Sequence, residues 1–246
     1  MTLSTRARAA WRLLRCVVHG LHGLTIVLVR FSALDAAQRH ARIQWWAAKM
    51  LKTMGIGLRV EGQPHVGGTL LVANHVSWLD IMAVHAVCPQ ARFVSKADVR
   101  SWPLLSQLID AAGTLYLERE RKRDALRVVH VMAQALAAGE MVAVFPEGTT
   151  SDGHALLPFH ANLLQAAIAT STPVQPVALR FSDALGPVSA AVEFVGDTTL
   201  LQSLWRVATG DGVVVRVQLL PSQASRGADR RALSETLRAQ IADALG

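Results

Sequence analysis

Thr69-Leu-Leu-Val-Ala-Asn-His-Val-Ser-Trp-Leu-Asp80 is the stretch on which the fold turns. Five residues of unbroken apolar and β-favouring character, Thr69–Ala73, read as a buried strand. The strand runs straight into a polar cluster, Asn74, His75, Ser77 and Asp80, at the mouth of a helix expected over residues 78–87. Ser77 followed by Asp80 has the spacing of a helix start, with the carboxylate near the positive end of the helix dipole. A histidine at the carboxyl end of a strand faces the rim where open α/β sheets bind ligands. The five-residue gap lets Asp80 fold back on His75. A carboxylate on one ring nitrogen fixes the imidazole tautomer and leaves the other nitrogen able to take a proton from a hydroxyl.

Outward from this stretch, strands and helices alternate. Gly55–Glu61, Ala91–Ser95, Gly113–Arg119, Met141–Phe145, Val174–Phe181, Ser189–Val195 and Val213–Leu219 are expected as strands. Helices are expected over 35–54, 98–111, 125–138, 162–169, 199–207 and 228–245. The alternation predicts an α/β fold with a single mixed sheet flanked by helices. Pro176 lacks an N–H, so its strand is expected at an edge or at a bulge. A second polar cluster, Pro146–Ser151, follows the strand Met141–Phe145. Gly148 there permits a turn that aims amides at an oxyanion or phosphate, beside the carboxylate of Glu147. Arg119, at another strand's end, is suited to bidentate phosphate capture.

With 246 residues, 51% of them hydrophobic, the chain can bury one sizeable core. The net charge of +7 points to an anionic partner. Aromatic residues make up only 5%, and the arginines form no recognisable nucleic-acid-binding module, so nucleic acid is not an expected partner. Cys16 and Cys88 stand in apolar surroundings with no Cys-x-x-Cys spacing, so neither a disulfide nor a metal site is expected.

The amino terminus has its own character. Arg6, Arg8, Arg12 and Arg15 precede the apolar run Cys16–Val29, which Arg30 closes. The run is shorter than the ~20 residues of a spanning helix, so it is expected to lie on or partly insert into a membrane, its arginines meeting anionic head groups. Residues 1–54 are thus expected to be membrane-associating helices and residues 55–246 the α/β domain. Of the adjacent Trp45 and Trp46, only one can face a single core stripe.

Taken together, NHVSWLD (74–80), GTLYLER (113–119), FPEGTTS (145–151) and VQPVAL (174–179) resemble the four ordered blocks of the glycerolipid acyltransferase family, bacterial 1-acyl-sn-glycerol-3-phosphate acyltransferases in particular. The resemblance spans roughly residues 55–220 and is most specific in the first and third blocks. It implies transfer of an acyl group from acyl-CoA or acyl-carrier protein to a lysophospholipid hydroxyl at the cytoplasmic face of the inner membrane, with no metal or bound cofactor. It also implies His75 as general base with Asp80 as its orienting partner. Arg119, Gly113, Glu147, Gly148 and Thr149 would bind substrate, and Pro176 would serve the acyl donor or the architecture. One departure bears on the acceptor. Where the family often has Pro-Phe-Lys, this chain has Pro158-Phe-His160, which replaces a fixed cation and leaves room for a phosphate-free acceptor such as lyso-ornithine lipid.

Rival readings rest on fewer residues. Ser77 as a hydrolase nucleophile would want a Gly-x-Ser-x-Gly elbow, and the chain has Val-Ser-Trp. His75, Asp80 and His85 match no known metal-ligand spacing. A non-catalytic lipid-binding protein of the same fold would have no use for His75, Asp80 and Glu147 together.

Overall fold

The structure is a computed structural model that describes residues 2–96, 105–117 and 122–246. Two helices come first, α1 (Leu3–Val29) and α2 (Ala36–Met54). Asp35 starts α2 with a reciprocal capping box to Gln38, and Gly55 ends it in the left-handed region, at φ +83°. Then follow β1 (Gly57–Glu61), β2 (Thr69–Ala73), α3 (Leu79–His85), β3 (Arg92–Lys96), α4 (Leu105–Ala111), β4 (Leu115–Leu117), α5 (Lys122–Ala137) and β5 (Met141–Val144). A 3-10 turn leads into α6 (Gln165–Thr170), followed by β6 (Val174–Ser182), α7 (Leu200–Thr209), β7 (Val214–Leu219) and α8 (Arg230–Leu245).

The strands form one mixed sheet in the order β1-β7-β6-β2-β5-β3-β4. Among the strands of the described residues, only β6 and β7 pair antiparallel; β2 lies between β5 and β6, parallel to both. All five residues of β2 are buried, because helices cover both faces. Leu71 and Ala73 point into a core shared with α2, α3 and α7. Leu70 and Val72 point the other way, into a core with α5, α6 and α8. The carboxyl ends of β2, β3, β4, β5 and β6 therefore share one rim, and His75 stands there.

Two expectations are corrected, and one is met by its second alternative. Residues 189–195 form no strand: Ser189 donates a single backbone bond to Phe181, after a tight Asp183–Gly186 reversal, and Val192 is buried as an isolated core residue. Pro176 is not at an edge, since β6 is interior. The antiparallel register that pairs Val177 with Leu219 shifts by one residue before Val174 meets Gln223, so a bulge faces the proline, and Gln175 Nε2 donates to the Leu220 carbonyl at 3.0 Å. The helix after β2 is shorter than expected, and Ser77 does not cap it; its N-cap is Trp78, without a side-chain bond.

At the amino terminus, α1 is one continuous 27-residue helix, long and apolar enough to cross a membrane by length and composition. It packs along α7 and α2. Arg12 donates to the Ala208 and Gly210 carbonyls. Trp46 fills the notch at Gly23, where a Cβ would lie 2.2 Å from its Nε1. Trp45 instead meets the rings of His19 and His22 edge-on.

Candidate active site

His75 leaves the carboxyl end of β2 and Asp80 lies in the first turn of α3. Their side chains meet with Nδ1 2.8 Å from Oδ2. Asp80 is wholly buried and His75 is 19% exposed. The same Oδ2 accepts the backbone N–H groups of Val76 and Ser77, at 2.7 and 2.9 Å. The helix-start spacing thus works in reverse: Asp80 folds back to hold the turn, and Ser77 does not cap it. Because an ionised carboxylate only accepts, Nδ1 carries the proton and Nε2 presents its lone pair. Phe145 stacks on the imidazole, with centroids 4.0 Å apart and planes within 6°, which fixes the plane in which Nε2 can act.

The second polar cluster is tied to the first. Glu147 Oε1 accepts the N–H of His75 at 2.7 Å, and Oε2 accepts that of Leu157 at 2.9 Å. Burial pushes the Glu147 carboxyl above the usual range, and the two amides pull the other way. Each oxygen thus already holds a backbone amide, joining the ends of β2 and β5. Ser151 donates its N–H to the His75 carbonyl at 2.8 Å. Gly148, at φ +73°, has no Cβ, and one built there would lie 3.1 Å from the His160 ring. His160 therefore covers Gly148 directly. Thr149 beside it is exposed.

The remaining candidates separate. Gly113 closes the turn after α4, and its carbonyl accepts from Arg92 Nε at 2.8 Å. It sits at the amino end of β4, on the rim opposite His75. Pro176 lies within β6, paired with Val72 two residues before Asn74. Arg119 lies outside the described residues. Ser77 is fully buried with its Oγ sealed from solvent, which removes it as a nucleophile. Among the described residues, no three His, Cys, Asp or Glu side chains cluster as a metal site.

An apolar cavity of about 320 Å³ opens between α1, α2, α3, α4 and β3, lined by Val27, Ile43, Trp78, Met82, Phe93 and Leu108 among others. Rings connect it to the histidine: Phe93 stacks on Phe145 at 5.4 Å, and Phe145 on His75. The arrangement joins a proton acceptor to a space shaped for hydrocarbon.

The sequence profile described as Acyltransferase matches residues 58–180, half of the chain. The chain belongs to the acyltransferase family. A lyso-ornithine lipid O-acyltransferase of Pseudomonas aeruginosa is 36% identical over 87% of this chain and 83% of its own. A 1-acyl-sn-glycerol-3-phosphate acyltransferase of Neisseria meningitidis is 39% identical over 79% of this chain and 78% of its own. In structure, the chain is similar to the 1-acyl-sn-glycerophosphate (LPA) acyltransferase PlsC of Thermotoga maritima, with a TM-score of 0.65 over 95% of this chain and 97% of that one. At 19% identity this likeness speaks for the fold alone.

Asn74 of this acyltransferase stood out in the first polar cluster, but its partner could not be found by reading along the chain. Asn74 donates to the Leu179 carbonyl at 2.9 Å and accepts the Leu179 N–H at 2.8 Å. It thus rivets the end of β2 to β6, directly before the catalytic candidate. Phe145 and Phe93, which carry the ring stack, looked like ordinary strand residues. The local signal for Phe145 was that it directly precedes the second polar cluster.

Proposed function

We propose that this acyltransferase moves a fatty acyl group from acyl-CoA or acyl-carrier protein to the hydroxyl of 1-acyl-sn-glycerol 3-phosphate, giving phosphatidic acid. The observation that carries this reading is the His75–Asp80 pair at the sheet rim, its imidazole partly exposed and linked by stacked rings to an apolar cavity. The similarity to the Neisseria enzyme supports the acceptor.

In this reading Nε2 of His75 takes the proton as the acceptor oxygen attacks the thioester carbonyl carbon. Asp80 holds the imidazolium that forms. The tetrahedral intermediate collapses, the carbon–sulfur bond breaks, and the imidazolium returns its proton to the departing thiolate. General-base assistance of this kind contributes about 10²–10⁴-fold. Glu147 acts by fixing the His75 backbone, Gly148 and Thr149 border the head group, and Arg119 supplies a phosphate contact. The acyl chain lies in the cavity. No metal or bound cofactor takes part. The protein works at the cytoplasmic face of the inner membrane, with α1 resting on anionic lipid.

A second reading is favoured by one residue. His160, not a lysine, covers Gly148, and a phosphate gains less from imidazole than from a fixed cation. Lyso-ornithine lipid, the substrate named for the Pseudomonas relative, is then the acceptor. The test is acyl transfer by purified protein in detergent, wild type beside His75→Ala, with both acceptors and both donor types. Transfer to the phosphate-bearing acceptor that falls 10²-fold or more in the variant is the expected outcome. Transfer only to the phosphate-free acceptor establishes the second reading. No transfer with any combination leaves a lipid-binding protein.

A further inference from the structure

The faces of α7 are reversed for a helix that meets only water. Its inward side carries Ser203, Val207 and Ala208, all buried. The Oγ of Ser203 accepts the Nε1–H of Trp78 at 3.1 Å. Its outward side carries Leu201, 74% exposed, and Trp205, 40% exposed. The two are four residues apart, so they lie side by side on one helix face. Gln202 and Arg206 are exposed next to them, and the helix contains no acid. Asp211, just past its end, is paired with Arg8 of α1 at 3.2 Å.

The neighbourhood says what this face meets. α7 packs along α1, and Arg12 of α1 bonds the carbonyls of Ala208 and Gly210 at the end of α7. Trp11, Val17 and Leu21 of α1 are each more than half exposed. Two helices held together thus both turn large apolar side chains outward, with the arginines Arg6, Arg15 and Arg206 exposed among them. Apolar residues that alternate with cations suit the boundary of a bilayer with anionic head groups. A tryptophan is well placed at that boundary, since its ring is apolar and its N–H is polar.

We propose that α7 is a second membrane-docking element, in which Leu201 and Trp205 enter the head-group boundary beside α1 and Arg206 meets lipid phosphate. The inference rests on the reading that α1 lies on the membrane. One helix alone lets the domain roll about the helix axis; two packed helices fix its orientation. That orientation bears on the site, because α7 is joined to the cavity wall. Trp78, bonded to Ser203, lines the cavity, and so does Phe194, shortly before α7.

The test uses the full chain. Its two cysteines, Cys16 and Cys88, are buried, so a thiol-reactive dye marks an introduced cysteine alone. Protein labelled at Leu201→Cys is mixed with vesicles of phosphatidylglycerol and phosphatidylcholine that carry a spin label on the acyl chain near the head group. Leu14→Cys reports on α1, and Val66→Cys, 92% exposed at the rim opposite His75, is the control. Quenching of the dye is expected on α7 and α1 and not at the control. Quenching on α1 without α7 overturns the inference and leaves α1 as the anchor. No quenching on α1 overturns the reading beneath it. Equal quenching at the control means adsorption without orientation and overturns the inference as well. A second arm measures acyl transfer by the double variant Leu201→Gln, Trp205→Gln, which keeps the charge. KM for lysolipid held in vesicles is expected to rise about tenfold, while kcat/KM for detergent-dispersed lysolipid stays within about twofold. An equal loss in both media, or none in either, overturns the docking role.

Discussion

At the scale of single residues, His75 and Asp80 were legible because both lie in one stretch and a short turn alone brings them together. The role of Glu147 was not. It read as a ligand for substrate hydroxyls, yet its oxygens hold the amides of His75, 72 residues away in sequence, and of Leu157. A carboxylate's partners across a sheet are invisible to local spacing. His85 carries a prediction of its own at this scale. Its pKa falls from 6.5 to about 4 on folding. Between those values the unfolded chain binds a proton that the folded chain refuses. The stabilising share of the neutral ring is therefore complete above pH 6.5 and is lost as pH falls towards 4, about 3 kcal/mol over the whole window. Urea unfolding midpoints at pH 7 and pH 4.5 should show this loss in the wild type and a shallower one in His85→Phe. Equal slopes in the two proteins would mean that the ring is solvated after all.

At the scale of elements, unbroken apolar runs such as Met141–Val144 identified strands well, since strands covered on both faces carry few polar residues. Pattern failed where pairing, not composition, decides the outcome. Residues 189–195 were expected as a strand, but they lie in turns and irregular chain, where Thr150 Oγ1 donates to the Phe194 carbonyl. Pro176 was expected at an edge or at a bulge, and pairing alone decides between them: a one-residue shift in the facing chain makes it the bulge. The join between β2 and β6 depends on the Asn74 side chain, which answers both polar groups of Leu179, 105 residues away. Asn74→Ala is expected to leave that buried N–H and C=O unpaired, at about 2–4 kcal/mol. Thermal unfolding in detergent should show the loss of stability, and transfer should weaken because His75 is the next residue. A melting point within a degree of wild type would mean that water replaces the amide without cost.

At the scale of the whole molecule, the charge of +7 and the helix α1 pose one question together, how the site meets its lipid. The sequence underrated α1, because glycines and histidines interrupt its hydropathy; Gly23 and His19 instead face inward, onto Trp46. The helix is two-sided. Ala9, Cys16, His19 and Gly23 face the domain, while Trp11, Leu14, Val18, Leu21 and Leu28 form an exposed stripe, each more than half open to solvent. The ties of Arg12 to residues 208 and 210 hold α1 along the domain. A helix held in this way is expected to meet a membrane flat, by its outer stripe. Each buried Leu or Val contributes about 1.5–3 kcal/mol, and each arginine near anionic lipid about 1 kcal/mol; Arg6, Arg15 and Arg30 are exposed to do so. The stripe therefore outweighs the charges. Replacing Leu14, Val18 and Leu21 together with Glu should move the protein from anionic vesicles to the supernatant on sedimentation, even at low salt. Transfer to detergent-dispersed acceptor should persist, since none of the three faces the domain core. Raising the salt on the wild type should weaken binding without abolishing it. Complete release of the wild type by salt alone would reverse the ranking and make the arginines the anchor. A triple variant that still sediments with vesicles would move the docking face off α1.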